Sequence, residues 1–101
     1  MKFITFNMID MAKIAEIAQA SDKAANIPGQ KILAKYSCLG KPFDGVPPNT
    51  AVIITVHETE SAEAMFAYGG TMMLAGATIW GVPVMDYPVG KSVKEIKKLQ
   101  K

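Results

Sequence analysis

The chain has few of the residues on which metal-binding, disulfide-bonded and many catalytic proteins depend. It contains one cysteine, Cys38, which excludes an internal disulfide, and one histidine, His57. With so few ligands and only scattered carboxylates, no spacing typical of a metal site is present, and we expect neither a metal nor a cofactor. Gly90-Lys91-Ser92 has the ending of a phosphate-binding loop, but Met85 stands where that loop needs its first glycine.

Strong charge and long apolar runs are also missing. The net charge is +2, and five lysines fall in the last eleven residues, so no basic patch elsewhere supports nucleic-acid binding. Asn7 and Asp10 come too early for the apolar region of a signal peptide. The longest apolar run is broken by glycine and is too short to span a bilayer. We therefore expect a cytoplasmic protein that has no membrane partner.

Two predicted strands, residues 2–9 and 50–58, are apolar on both faces. A half-exposed strand alternates apolar and polar residues, and these strands do so only weakly. One face carries Ile4, Phe6, Val52, Ile54 and Val56, and the other carries Phe3, Thr5, Asn7, Ile53, Thr55 and His57. Both faces need cover. This pattern predicts helices on one side of the sheet and, on the side with the polar groups, a second copy of the chain.

The remaining elements follow from caps, breakers and periodicity. The sequence predicts a helix over 11–26 after the cap Asp10, strands over 31–39 and 78–87, a helix over 62–75 after the cap Ser61, and a helix from 92 with a Ser92–Glu95 capping box and a Val93–Ile96–Leu99 stripe. This order predicts one ferredoxin-like α+β domain over residues 1–101, in which two helices cover one face of a four-stranded antiparallel sheet. We expect strands one and three to be central and mutually parallel. Strand four should lie at an edge, because Pro83 cannot donate a ladder hydrogen bond.

Three segments resemble the dimeric α+β barrel superfamily and, within it, a small family of stand-alone domains of uncharacterised function. They are residues 1–6, Gly40-Lys41-Pro42-Phe43, and the stretch that runs from 75–77 to 82–86. The resemblance implies a homodimer with a cavity, but its members include cofactor-free monooxygenases, haem-degrading enzymes, isomerases and ligand-sensing domains. Some haem-degrading members use a first-strand asparagine, a tryptophan and a second-helix histidine. Asn7 matches, but the second helix has no histidine and Trp80 follows it, so haem degradation is not implied.

Two functions from different classes remain open. In the first, a homodimer binds a small apolar or aromatic ligand in a cavity on the sheet face, lined by Phe3, Thr5, Asn7, Tyr36, Ile53, Thr55, His57 and Trp80. In the second, a cofactor-free monooxygenase or isomerase uses His57 as base, with Asn7 and a tyrosine, Tyr36 or Tyr68, holding an oxyanion. Against both stands the interpretation of His57 as a hydrogen-bonded or solvated histidine at the end of a strand.

Large apolar residues cluster in the second half of the chain. Met65, Phe66, Tyr68, Met72, Met73 and Trp80 fit either a flexible apolar pocket or a core and dimer contact. Cys38 has no basic neighbours in sequence and is expected to be a buried, inert thiol. The stripe of the last helix should dock on apolar surface of its own subunit or of a partner, since so short a helix is unstable alone.

Overall fold

The computed structural model describes residues 1–87, 90 and 92–100, and its elements follow the predicted order. The strands are β1 (Lys2–Asp10), β2 (Gln30–Ser37), β3 (Thr50–Thr59) and β4 (Thr78–Val84). The helices are α1 (Ile14–Ala24), α2 (Ala62–Leu74) and α3 (Ser92–Leu99), and a 3-10 turn, Met11–Lys13, precedes α1.

Local capping sets the boundaries of the helices. Asp10 accepts a hydrogen bond from the Ala12 amide at 3.0 Å, and Ser61 accepts one from the Ala64 amide at 3.2 Å. Both predicted caps are confirmed, although Asp10 opens the 3-10 turn rather than α1 itself. Gly76 ends α2 with a φ of 104°, a left-handed conformation that glycine adopts most readily.

The four strands form one antiparallel sheet in the order β2-β3-β1-β4. β1 pairs with β3 antiparallel, so that Phe3 faces His57 and Asn7 faces Ile53. The prediction that strands one and three run parallel is therefore wrong. The reason is topological: β1 and β2 are joined by a helical crossover and run the same way, while β3 turns back from β2 and lies between them. β4 pairs only with β1, so Pro83 lies on an edge strand as predicted.

The face covered by α1 and α2, here called the inner face, is the one that carries the polar residues. The core between the helices and this face consists of Ile9, Ile17, Ala20, Ala24, Tyr68, Met72 and Ala77. Thr5, Asn7, Thr55 and His57 are buried on the same side. The prediction that a partner subunit covers this polar face is therefore wrong. The cover comes from the chain's own helices.

The opposite, outer face carries the apolar set of Ile4, Phe6, Ile54 and Val56. The connection between β2 and β3 covers one end of it. Phe43 from this connection lies 5.5 Å from the Trp80 ring, and Trp80 stacks on Phe6 at 5.7 Å between ring centroids. The rest of the outer face is open, and Val82 and Tyr36 on it are 43% and 60% exposed.

The stripe of α3 does not become buried within the single chain. Val93, Ile96 and Leu99 are 67%, 42% and 74% exposed. The predicted Ser92–Glu95 capping box depends on side chains that lie outside the described residues. Cys38 is half-buried just after β2, rather than buried within it. Among the residues described, no helix has the length and hydropathy needed to cross a membrane.

Candidate functional site: a polar cluster between two cavities

The inner face brings polar residues of two central strands together beneath α2. Thr5 and Asn7 alternate along β1, and Thr55 and His57 alternate along β3, so all four point toward the helices. His57 and Thr55 are fully buried, and Thr5 and Asn7 are 2% exposed. Buried polar groups must find partners within the protein or lose the hydrogen bonds they made in water.

A chain of hydrogen bonds that starts at two backbone carbonyls determines which ring nitrogen of His57 carries the proton. The Gln30 amide nitrogen donates to the carbonyls of Ala24 and Ala25 at 3.1 and 3.3 Å, which leaves its Oε1 as an acceptor. His57 Nδ1 lies 3.0 Å from this oxygen and must therefore donate to it. The other ring nitrogen, Nε2, is then an acceptor, and the Thr5 hydroxyl donates to it at 2.8 Å.

His57 is consequently a neutral histidine with both ring nitrogens in use. Burial, and to a smaller extent the nearby Lys35 charge, lowers its pKa from 6.5 to about 4. A group with this pKa has little affinity for a proton near neutral pH. Its ring also packs edge-on against Tyr68 with centroids 4.5 Å apart. This geometry favours a structural role for His57 over that of a base.

Three buried polar atoms in the same cluster have no hydrogen-bond partner within the described residues: Asn7 Oδ1, Thr55 Oγ1 and the Tyr68 hydroxyl. The Asn7 amide nitrogen donates to the Ile53 carbonyl at 3.0 Å, which fixes its orientation and turns Oδ1 away. Burial raises the pKa of Tyr68. The hydroxyls of Thr55 and Thr5 oppose that rise without reaching good hydrogen-bond geometry. Unpaired buried groups are rare in folded proteins and often mark a site for water or ligand.

The first cavity lies between the sheet and α1, and the three residues with unpaired atoms line it. Its volume is about 190 Å³. Its apolar wall comes from Ile9, Ile14, Ile17, Ile53 and Met72, and its polar rim from Ser21, Asp22 and Lys35. The Lys35 ammonium donates to the Ser21 hydroxyl at 2.8 Å and so ties β2 to α1.

The second cavity lies between α2 and the edge strand β4 and has a volume of about 230 Å³. Its lining comprises Phe3, Thr5, Met65, Phe66, Tyr68, Gly69, Met73, Ile79, Trp80 and Gly81. The structure thus brings most of the predicted methionine–aromatic cluster around one space, while Met72 lines the first cavity.

The predicted site residues are divided by this arrangement. Asn7, Ile53 and Thr55 line the first cavity, and Phe3, Thr5 and Trp80 line the second. His57 lines neither of the two and is hydrogen-bonded to Thr5. Asn7 does not bond it directly but donates to Thr5 Oγ1 at 3.4 Å. Tyr36 is on the outer face and belongs to neither cavity, so the structure does not place it with the other site residues.

Sequence reasoning missed the partners that make this cluster. Gln30 begins β2, and nothing in its local sequence indicates a contact with His57, 27 residues away. The local sequence around Lys35 likewise does not indicate that Lys35 lines the first cavity. Ile14, Ile17 and Ala18 recur at helical spacing and form an apolar stripe, but such a stripe indicates core and does not distinguish a packed face from a cavity wall.

Comparisons with known proteins support the fold and no narrower grouping. No protein-family model matches the sequence, and no curated protein is significantly similar to it. The uncharacterised protein TM1266 from Thermotoga maritima superposes with a TM-score of 0.59 at 16% identity, covering 83% of this chain and 96% of that one. At that identity the likeness shows the fold alone. With the sheet order, it confirms the predicted ferredoxin-like α+β fold.

Two further solved structures are more distant. CutA1 from the psychrotrophic bacterium Shewanella sp. SIB1 has a TM-score of 0.45 at 13% identity, covering 96% of this chain and 92% of that one. An MhuD mutant with two manganese protoporphyrin IX molecules bound per active site has a TM-score of 0.44 at 20% identity, covering 87% and 99%. Likenesses this weak say nothing about ligand or activity in this chain. Membership in the small family named above stays a prediction.

Proposed function

We propose that this chain, as one domain over residues 1–101, is a homodimeric binding module for a small, mainly apolar ligand. The first cavity carries this proposal, because it joins an apolar wall to three buried polar atoms without partners. Its volume of about 190 Å³ suits a single substituted ring, since an apolar cavity of about 150 Å³ holds benzene. A ligand with one hydrogen-bond donor could reach Asn7 Oδ1 after a small movement of the wall.

Binding is favoured over catalysis by the state of His57. A base needs a free acceptor nitrogen near the substrate, whereas Nε2 of His57 accepts from Thr5 and is fully buried. The alternative of a cofactor-free oxygenase or isomerase that uses His57 and Asn7 as catalytic residues therefore has no geometric support here. Asn7 keeps a place in the proposal as a ligand-binding group.

Titration with 4-fluorophenol, followed by fluorine NMR, tests the ligand site. Ala18 lines the first cavity from the exposed side of α1, so Ala18→Leu should fill the space without disturbing the core. Ala15→Leu is the matched control, because Ala15 is exposed on the same helix and does not line the cavity. We expect wild type and Ala15→Leu to bind and Ala18→Leu to lose binding at least tenfold. Equal binding by all three, or none by wild type at millimolar ligand, contradicts the proposal.

The dimer is supported by the surface that the single chain leaves exposed. It amounts to 6995 Å², whereas a compact monomer of this mass exposes about 5,600 Å². The excess is larger than the roughly 800 Å² per partner that a standard interface buries. The open outer face and the exposed stripe of α3 both offer apolar surface for such an interface.

Light scattering after size exclusion tests the dimer and its location. Val82→Asp places a charge on the open part of the outer face, and Leu74→Asp places one on the exposed end of α2. We expect dimers for wild type and Leu74→Asp and monomers for Val82→Asp. A monomeric wild type at micromolar concentration removes the dimer from the proposal, and a dimeric Val82→Asp moves the interface elsewhere.

A further inference from the structure

The two cavities meet at a single side chain. Tyr68 is the one residue that lines both of them, and it is fully buried between α2 and the sheet. Asn7 lines the first cavity, and Thr5 lines the second. These two residues are neighbours on the same face of β1, so the spaces they line are adjacent.

The Tyr68 ring is held by packing and not by a hydrogen bond. Within the described part of the chain its hydroxyl has no hydrogen-bond partner, although it lies in the cluster with Thr5 and Thr55. An unpaired buried hydroxyl is unfavourable, and a ring displaced toward solvent or toward a ligand can gain a hydrogen bond for that hydroxyl. The Tyr68 ring packs edge-on against the His57 ring, with the centroids 4.5 Å apart.

Helix α2 has free space beside the two residues that directly follow Tyr68. Gly69 and Gly70 lie within α2, and a Cβ atom built on either would meet nothing within 4 Å. α2 is therefore not tightly packed against a neighbour at this point. A small shift of the ring has room on the side of the second cavity, which Gly69 lines.

We propose that Tyr68 partitions one larger binding site, and that the ligand of this protein has two linked apolar groups that displace the ring and occupy both cavities. This inference rests on the proposed binding function. Joined, the two spaces exceed roughly 400 Å³, which falls in the usual range for small-molecule sites. The polar atoms of Asn7 and Thr55 would then face the middle of the ligand, so its hydrogen-bonding group lies at or near the link between the apolar groups.

Two probes and a pair of glycine variants test this inference. 4-Fluorophenol has one ring, and 4-fluoro-4′-hydroxybiphenyl has two. Gly69→Leu fills the second cavity, whereas Gly70→Leu adds the same side chain at a position that does not line it. We expect Gly69→Leu to weaken binding of the biphenyl at least tenfold and to leave 4-fluorophenol within threefold of wild type. Gly70→Leu should leave both unchanged.

Substitution of Tyr68 tests the inference in the opposite direction, because it should strengthen binding of the two-ring probe. Tyr68→Leu removes the ring and should strengthen biphenyl binding at least tenfold, while Tyr68→Phe keeps the ring and should not strengthen it. Proton NMR spectra establish that each variant is folded. If Tyr68→Leu does not fold, the comparison of Gly69→Leu with Gly70→Leu tests the partition by itself. If 4-fluorophenol binds wild type but Gly69→Leu leaves biphenyl binding unchanged, the partition is wrong and the binding function stands. If 4-fluorophenol also fails to bind wild type, the proposed function is wrong as well.

Discussion

Mild acid should destabilise this protein through one buried histidine. Burial and, to a smaller extent, Lys35 lower the pKa of His57 from 6.5 to about 4. The unfolded chain therefore binds a proton in a pH range where the folded chain does not. The stabilisation is complete above the unfolded pKa of 6.5, and it is lost as the pH falls from there through the folded pKa of about 4.

The size of the effect follows from the shift in pKa. At 1.36 kcal/mol per unit, the whole window amounts to about 3 kcal/mol of the free energy of unfolding. Between pH 7.5 and pH 5, where carboxylates contribute little, the linkage relation gives a loss of about 2 kcal/mol. Domains of this kind have a total stability of about 5–15 kcal/mol, so the loss is readily measured.

Urea unfolding at pH 7.5, 6 and 5, at one fixed protein concentration, measures this loss. His57 is the only histidine in the chain, so His57→Gln should flatten the profile over this range. Gln30→Glu places a carboxylate where the amide oxygen lies 3.0 Å from Nδ1. It should raise the pKa of His57 and so shrink the loss on acidification.

Proton NMR of the single imidazole provides the direct measurement. The reasoning predicts that the ring remains neutral until the pH approaches 4. A titration midpoint near 6.5 in the folded protein refutes it, and so does an acid loss in His57→Gln as large as in wild type. In either case burial does not hold the His57 ring neutral in the folded protein.

Further changes test other parts of the structure. Gly76→Ala should cost about 1–2 kcal/mol by urea unfolding, since its φ of 104° is unfavourable for alanine and the new Cβ would lie 3.0 Å from the Lys13 side chain. Gly70→Ala should instead stabilise by about 0.5–1 kcal/mol, because it lies in a helix with free space around it; a loss there contradicts the open packing of α2. Thr5→Val keeps the shape but removes the donor to His57 Nε2, and should cost about 1–3 kcal/mol. Deletion of residues 92–101 should weaken the dimer in sedimentation velocity; an unchanged dimer and an unchanged Tm show that α3 does not dock.

The order and type of the elements could be predicted from the sequence because their causes are local. Asp10 and Ser61 precede helices because each can accept a hydrogen bond from a free amide in the first turn. Pro83 lies on an edge strand because it lacks an amide proton. The alternation of residues in β1 and β3 correctly predicted which residues share a face with Thr5 and which lie on the opposite face of the sheet.

Only the tertiary structure decided which face the helices cover and which residues meet there. Alternation with a period of two says that a strand has two different faces, but not which one lies under α1 and α2. The direction of β1 against β3 then fixes that Thr5, and not Asn7, bonds His57. Gln30 reaches the same ring from its place opposite Thr59, two residues along β3 from His57. Contacts of this kind depend on the register of strands distant in sequence, which no local pattern of residues specifies.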